Sequence, residues 1–463
     1  MYKSDSLCIF EELAGIPRPS GKEEKIVKYL IDFAKEHGLE YKLCGTNNVI
    51  IYKKSTIKGN DKTIIMQGHI DMVCEKEVTS NIDFDNDPIE LVYEGDYVRA
   101  NGTTLGSDNG FGVAIILHIL KSKDLKHPNI EAVFTAEEET TMNGAMTIDY
   151  SLLSSSTILS LDGSEERHLE TASAGMVVMD ITKDVKRRKC DCYGYNVAIS
   201  KLKGGHSGGD IHLNRGNANK LLVKLLTSLK YPVISELSGG DKSNAIPHSA
   251  SATILYDDVK VLREKIDKLE KYIVKNNKDD ENVKITVKKV RVKSALTKKC
   301  SENVVKLLRD IKNGVLESNC NQFVLTSQNL AKMALNDKLY ICVSLRSSIV
   351  KYEEDYMEIL RSIISKYNSN LVITSKAPFF EEKKDSYLVE VCKRTYKELY
   401  GEIVTSGPVH AGLEGGVFAQ HIKDADICVM AVELHDIHST TEKASVSSLA
   451  RVEKWVEKIL EEY

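Results

Sequence analysis

The chain has 463 residues, 42% of them hydrophobic and 28% charged, a length that calls for two or more domains. Lysine and arginine number 63 against 67 acidic residues, a net charge of −4, so no broad basic field exists and nucleic acid is excluded as the main partner. No run of about 18 apolar residues occurs, which excludes a spanning helix and a membrane partner. The charged start MYKSDSLCIFEELAG lacks the apolar core of a secretory leader. Ten dispersed cysteines with no C-x-x-C pair point to a reducing, cytoplasmic setting.

Residues 7–37 carry apolar positions at helical spacing, interrupted by the turn IPRPSG; Ser20 with Glu23 three residues later reads as a capping box for the second helix. Strands follow at 48–54 and 63–69, then a largely apolar helix over about 110–122, and strands at 130–136 and 157–161. This alternation predicts an α/β fold, with a mostly parallel sheet flanked by helices. From about residue 184 the pattern changes. A polar stretch, KRRKCDC, is followed by strand GYNVAISKL, the glycine-rich GGHSGGD and a helix over 217–229. Strand SATILYD, a charged helix over 257–277 and strand NVKITVKKVRV come next, and a second helix-and-strand set runs to LVITSKA. These units predict an α+β domain over 184–384, inserted into a catalytic domain formed by 1–183 and 385–463.

Five apolar runs end in metal-binding side chains: TIIMQGHID (His69, Asp71), GTTLGSDNG (Asp108), AVFTAEEE (Glu137, Glu138, Glu139), TILSLDG (Asp162) and AVELHDIHS (His435, His438). Strands that finish in His, Asp and Glu describe a metal centre at the carboxyl edge of an α/β sheet. Nitrogen and carboxylate ligands without Cys favour hydrolytic zinc or manganese over a structural site. His69 is read as a ligand and Asp71 as the carboxylate that fixes its tautomer from behind. Asp108, between glycines, has two oxygens with which to bridge two cations. Of the adjacent Glu138 and Glu139, one can bind metal while the other faces a water as general base. Asp162 and His438 complete the set, and His435, His118 and His127 are set aside. Singly, a strand-end Asp is a turn residue and an EEE run a solvated face; five such endings in one chain are not.

With these residues stand IPRPSG, MQGHIDMV, TTLGSDNG, GGHSGGDIHLNRGNANK, NAIPHSA, HAGLEGG and IHSTTE. In that order they span nearly the whole chain. Together they resemble the superfamily of dizinc aminoacylases, carboxypeptidases and dipeptidases, and within it the dipeptidases of Xaa-His peptides. The resemblance implies a phosphorylase/hydrolase-like zinc-peptidase fold with an inserted lid. It implies metal ligands His69, Asp108 (bridging), Glu139, Asp162 and His438, with Asp71 behind His69 and Glu138 as general base. It further implies that His206 stabilises the oxyanion, that Arg346 holds the substrate carboxylate, that Asn244 lines the site and that Glu414 lies near the substrate amino end. One departure is local: Thr140 and Thr141 stand where the family usually has a glycine-containing turn.

The implied reaction is hydrolysis of dipeptides, of Xaa-His or β-alanyl-histidine type or broader, through a water bridging two divalent cations, most simply zinc, with manganese or cobalt as alternatives. Lid closure would assemble the site and exclude water. A homodimer is the implied assembly. The competing readings are aminoacylase, tripeptidase or carboxypeptidase activity, because the metal set is shared, and a non-catalytic peptide- or metal-binding protein.

Overall fold

Strands that are buried along nearly their whole length are covered on both faces, and three of them stand side by side in the first sheet. Asn48–Lys53, Thr63–His69 and Asn129–Thr135 are buried almost throughout. The computed structural model describes residues 3–163, 165–320 and 323–463. It divides into two compact units: the first comprises the chain up to Ser173, Phe380–Pro408 and Leu413–Tyr463, the second Ala174–Phe379 and Val409–Gly412.

In the first unit, Thr63–His69 lies between Asn129–Thr135 and Thr157–Ser160, parallel to both, and Asp426–Val429 continues the parallel set beside Thr157–Ser160. Antiparallel strands Glu40–Cys44 and Asn48–Lys53 close one side of this eight-stranded sheet. Helices Asp5–Ala14, Ser107–Lys121 and Val446–Glu462 pack into one core cluster with the sheet, centred on Phe10, Phe111 and Trp455. Because four neighbouring strands run the same way, their carboxyl ends, and the loops that follow them, open on one edge.

The second unit is an antiparallel nine-stranded sheet. Helices Ala218–Ser228, Val259–Asn276, Lys298–Asp310 and Val350–Lys366 share its apolar core. Among the described residues no helix is long and apolar enough to cross a membrane.

Three expectations are corrected. The units divide at 173/174 and 379/380 rather than 183/184 and 384/385, because Gly175–Asp184 pairs along its length with Lys338–Ser347 and with Asn370–Ala377 of the second sheet. The polar stretch KRRKCDC is strand from its second residue on, part of Arg187–Ser200 paired with Lys284–Leu296; its charged side chains stay exposed while the backbone satisfies itself in the ladder. Ser20 does not cap a helix. Glu24–Glu36 starts without a side-chain cap, and the Ser20 hydroxyl donates instead to Asp71 Oδ2 at 2.7 Å.

Candidate active site

The carboxyl ends of the parallel strands deliver the first unit's acidic and imidazole groups to one place. His69 is the last residue of its strand, Glu138 and Glu139 follow Thr135, Asp162 follows Ser160, and the segment after Val429 carries His438. Asp108 sits near the start of Ser107–Lys121 but outside helical geometry, at φ −87° and ψ 108°, as does Asn109. The Asn109 amide donates to the carbonyl of Leu161 at 2.5 Å, joining the Asp108 turn to the loop of Asp162.

His69 Nε2 stands 3.2 Å from Asp108 Oδ1 and 3.2 Å from Asp162 Oδ1. His438 Nε2 stands 3.4 Å from Asp108 Oδ2 and 3.0 Å from Glu139 Oε1. Each oxygen of Asp108 therefore faces a different imidazole. The two groups His69–Asp108–Asp162 and Asp108–Glu139–His438 each bring their ligand atoms within 4.8 Å of one another, as do His69, Glu138 and Glu139. Ligands bonded to a zinc-like ion at about 2.0–2.1 Å in a tetrahedron lie about 3.3 Å apart, so the spacing fits cations on both sides of Asp108.

Asp71 is fully buried and holds this arrangement from behind. Its Oδ1 lies 3.5 Å from His69 Nδ1 and accepts the Glu138 amide at 3.0 Å, while Oδ2 accepts the Glu139 amide at 3.2 Å. Glu137 turns away: its φ is +54°, its carbonyl accepts the amides of Thr141 and Met142, and its carboxylate takes the Thr141 hydroxyl at 3.3 Å. Thus the turn with Thr140 and Thr141 closes without glycine and leaves Glu138 and Glu139 at the centre. His435 is directed elsewhere, packing on Tyr97 with ring centroids 5.6 Å apart. His118 joins helices instead, its Nε2 2.8 Å from Glu457, and His127 Nδ1 lies 2.7 Å from the Pro128 carbonyl.

The electrostatics follow from packing carboxylates and imidazoles together out of water. Burial opposes charge on His69, but Asp162, Asp108 and Asp71 outweigh it and raise its pKa well above the usual value. Likewise His438, despite burial, is raised to about 10 by Asp108 and Glu139. Burial would raise Asp108, yet the two imidazoles hold it below the usual carboxylate range. Asp162 is pushed up to about 6 by burial, with His69 opposing. Glu138 is pushed up strongly by burial, and Asp162, Glu414 and Glu139 add to the shift.

Two residues unmarked in the sequence reading support the site. Arg18, from IPRPSG, is buried and donates to the carbonyls of Ile70, Asp71 and Gly106. Glu442, from IHSTTE, accepts the amides of Leu105, Gly106 and Ser107 and the Ser107 hydroxyl, which fixes the loop before Asp108. Glu414 is 1% exposed; its Oε2 accepts Gln67 Nε2 at 2.7 Å and Thr135 Oγ1 at 2.5 Å, and burial pushes its pKa up to about 8.

In the second unit, His206 and Arg346 come together. Gly209 N–H donates to His206 Nδ1 at 3.1 Å, so the neutral ring carries its proton on Nε2. That Nε2 lies 3.4 Å from Arg346 Nη2. Arg346 is 5% exposed, its Nε has no hydrogen-bond partner among the described residues, and burial alone lowers its pKa to about 10. Two converging donors, one of them on a buried cation, make a receptor for an anion. Asn244 is exposed; its carbonyl accepts the Ser207 amide at 2.8 Å, and the neighbouring Ala245 pairs with His206.

Imidazoles and carboxylates converging at the carboxyl ends of parallel strands, with no thiolate among them, are the equipment of a metal-dependent hydrolase. The chain belongs to peptidase family M20/M25/M40, whose sequence profile matches residues 65–462. It is 29% identical over 468 aligned positions to the cytosol non-specific dipeptidase of Escherichia coli K12, covering 98% of this chain and 96% of that protein. Its fold is similar to the crystal structure of aminoacylhistidine dipeptidase from Vibrio alginolyticus, with a TM-score of 0.88, 28% identity, and coverage of 99% and 96% of the two chains. The aminopeptidase PepT of Bacillus cereus shares the fold at a TM-score of 0.58 and 18% identity, over 99% and 98% of the two chains.

Proposed function

We propose that the protein is a metallo-dipeptidase that hydrolyses the peptide bond of dipeptides, including those of Xaa-His and β-alanyl-histidine type. The observation that carries this reading is Asp108, whose two oxygens face His69 and His438 at 3.2 and 3.4 Å beside the pair Glu138 and Glu139. The names of the Escherichia coli and Vibrio relatives point to the same substrate class.

In this reading His69, Asp162 and Asp108 hold one divalent cation, and His438, Glu139 and Asp108 the other. Bound there, two cations, zinc first and manganese or cobalt as alternatives, would supply an acidified water and a polarised carbonyl. Glu138 takes the proton from the attacking water and passes it to the leaving amine. Its raised pKa suits a group that must accept a proton and release it again. Asp71 orients His69 and positions both glutamates through their amides. His206, with its proton on Nε2, donates to the developing oxyanion. Arg346 pairs with the substrate's C-terminal carboxylate, restricting the enzyme to short peptides. Asn244 lines the substrate site, and Glu414 serves the amino end through the Gln67 and Thr135 network.

A cytoplasmic location belongs to the same reading, supported by ten dispersed cysteines with no C-x-x-C pair, and so does a homodimer, which rests on the resemblance alone. The experiment is a panel of dipeptides, tripeptides and N-acyl amino acids, run on metal-free protein with each metal added back. Preference for free dipeptides supports the reading; cleavage of only N-acyl amino acids or longer peptides refutes it.

A further inference from the structure

The helix Ser107–Lys121 carries Asp108 at its start and His118 in its last turn, about 15 Å apart at the helical rise of about 1.5 Å per residue. Around His118 a second set of metal-binding side chains comes together. Glu453 and Glu457 stand one turn apart in Val446–Glu462, so both project from one face of that helix. The ligand atoms of His118, Glu453 and Glu457 all lie within 4.8 Å of one another. Asp5, the first residue of Asp5–Ala14, adds a carboxylate from a third helix, its Oδ2 3.5 Å from His118 Nδ1. All three helices belong to one packed core.

Burial separates this group from an ordinary surface cluster of acids. His118 is 6% exposed and Glu453 7%. Glu453 is also fixed, since its Oε2 accepts the Ser6 amide at 2.7 Å. Among the described residues no lysine or arginine comes within ion-pair distance of Asp5, Glu453 or Glu457; His118 is the group that Asp5 and Glu457 pair with. His118 Nε2 stands 2.8 Å from Glu457 Oε1, while Nδ1 has no hydrogen-bond partner among the described residues. The Ser6 hydroxyl, at the same junction, has none either. A neutral ring that donates from Nε2 turns the lone pair of Nδ1 toward the Asp5 carboxylate, where it meets negative charge. A protonated ring sets one charge against Glu453 and Glu457 together. A divalent cation on Nε2 resolves both faults: it balances the two glutamates, and it moves the ring proton to Nδ1, facing Asp5. A metal-bound imidazole commonly has a carboxylate at its other nitrogen, and Asp71 stands in that relation to His69 Nδ1, also at 3.5 Å.

We propose that His118, Glu453 and Glu457 bind a further divalent cation of the zinc class, separate from the centre at Asp108, with Asp5 as the positioning carboxylate behind His118. One nitrogen with carboxylate oxygens and no thiolate suits zinc or cobalt, whereas calcium and magnesium take oxygen ligands. The half-buried Glu457 gives the ion its way in from solvent. Bound there, the ion touches no peptide. It ties the helix that begins at Asp108 to Val446–Glu462 and, through Asp5, to Asp5–Ala14. None of its ligands is shared with the site on which the dipeptidase reading rests.

The test is zinc content per chain, measured by plasma mass spectrometry after equilibration at about 10 µM free zinc, enough to fill a site with a Kd of about 1 µM. Glu457→Gln and His118→Gln should each hold one ion fewer than the wild type. Dipeptide turnover should stay within about twofold, because the two sites lie about 15 Å apart. Asp5→Asn should keep the wild-type zinc content at saturation and bind that ion about tenfold more weakly in a chelator competition. Equal zinc content in the wild type and both ligand variants would overturn the assignment. Loss of an ion together with loss of turnover would place that ion at the Asp108 centre and overturn it too. An affinity unmoved in Asp5→Asn would overturn the part given to Asp5. If His118→Gln does not fold, Glu457→Gln decides alone. The comparison reads a difference between proteins, so its failure is distinct from a failure to cleave dipeptides.

Discussion

One oxygen of Asp71 serves two neighbours: Oδ1 accepts the Glu138 amide at 3.0 Å and stands 3.5 Å from His69 Nδ1. The candidate ligand and the candidate base are therefore both held by Asp71, whose backbone carbonyl also lies 3.2 Å from His69 Nδ1. Asp71→Asn replaces one acceptor of this carboxylate by a donor and removes its charge. Loss of such an outer partner weakens metal binding about 10–100-fold. Competition titration with a chromogenic chelator measures it, and kcat at saturating metal should fall as well because Glu138 loses its anchor.

Glu442 gathers three backbone amides and the Ser107 hydroxyl in a buried place. Glu442→Gln leaves at least one of those donors facing an NH2 group. A destabilisation of about 2 kcal/mol is expected, read as a shift of the urea midpoint. Metal affinity should drop with it, since this loop carries Asp108.

Removal of metal leaves the clustered carboxylates around Asp108 without their counter-charge. Dialysis against a chelator should abolish hydrolysis and lower the melting temperature, and zinc or manganese should restore both. Each cation present at about 100 times its dissociation constant stabilises the fold by about 2.7 kcal/mol. A melting temperature indifferent to chelation would argue against cation sites here.

His410 supplies a pH signature in stability. Burial, with Arg346 alongside, pushes its pKa down to about 3, whereas the unfolded chain titrates near 6.5. Below about pH 6.5 the unfolded chain binds a proton that the folded chain refuses, so stability falls as pH drops toward 3. Between pH 7 and 5 the wild type should lose about 2 kcal/mol more than His410→Gln. Urea midpoints of the two proteins at both pH values give the difference.

Much of the first unit was legible because its strands are apolar on both faces and each ends in a polar residue that has no place in a core. His69, Glu138, Glu139 and Asp162 come together for that reason; Asp108, expected at a strand end, comes instead from the start of a helix and His438 from a loop beyond its strand, and His435 is directed elsewhere. What could not be read was pairing at a distance. Ser20 looked like a helix cap because its partner Asp71, in sequence far away, was invisible to local spacing. Glu442 and Arg18 lay in motifs that were noticed, yet only the fold reveals which backbone groups they satisfy. KRRKCDC was misread because strand pairing belongs to the backbone and tolerates charged side chains on an exposed ladder. The boundary near residue 184 was late by one strand for the same reason: Gly175–Asp184 resembles its predecessors in composition and differs only in its partners.

The central claim is that Glu138 is a base rather than a ligand, and Glu138→Gln tests it most directly. The variant keeps the size and the backbone amide that Asp71 accepts, and it cannot take a proton from water. With metal content measured on the same sample, turnover of a good dipeptide should fall about 10³-fold while both cations remain bound. Full turnover with metal in place would contradict the account.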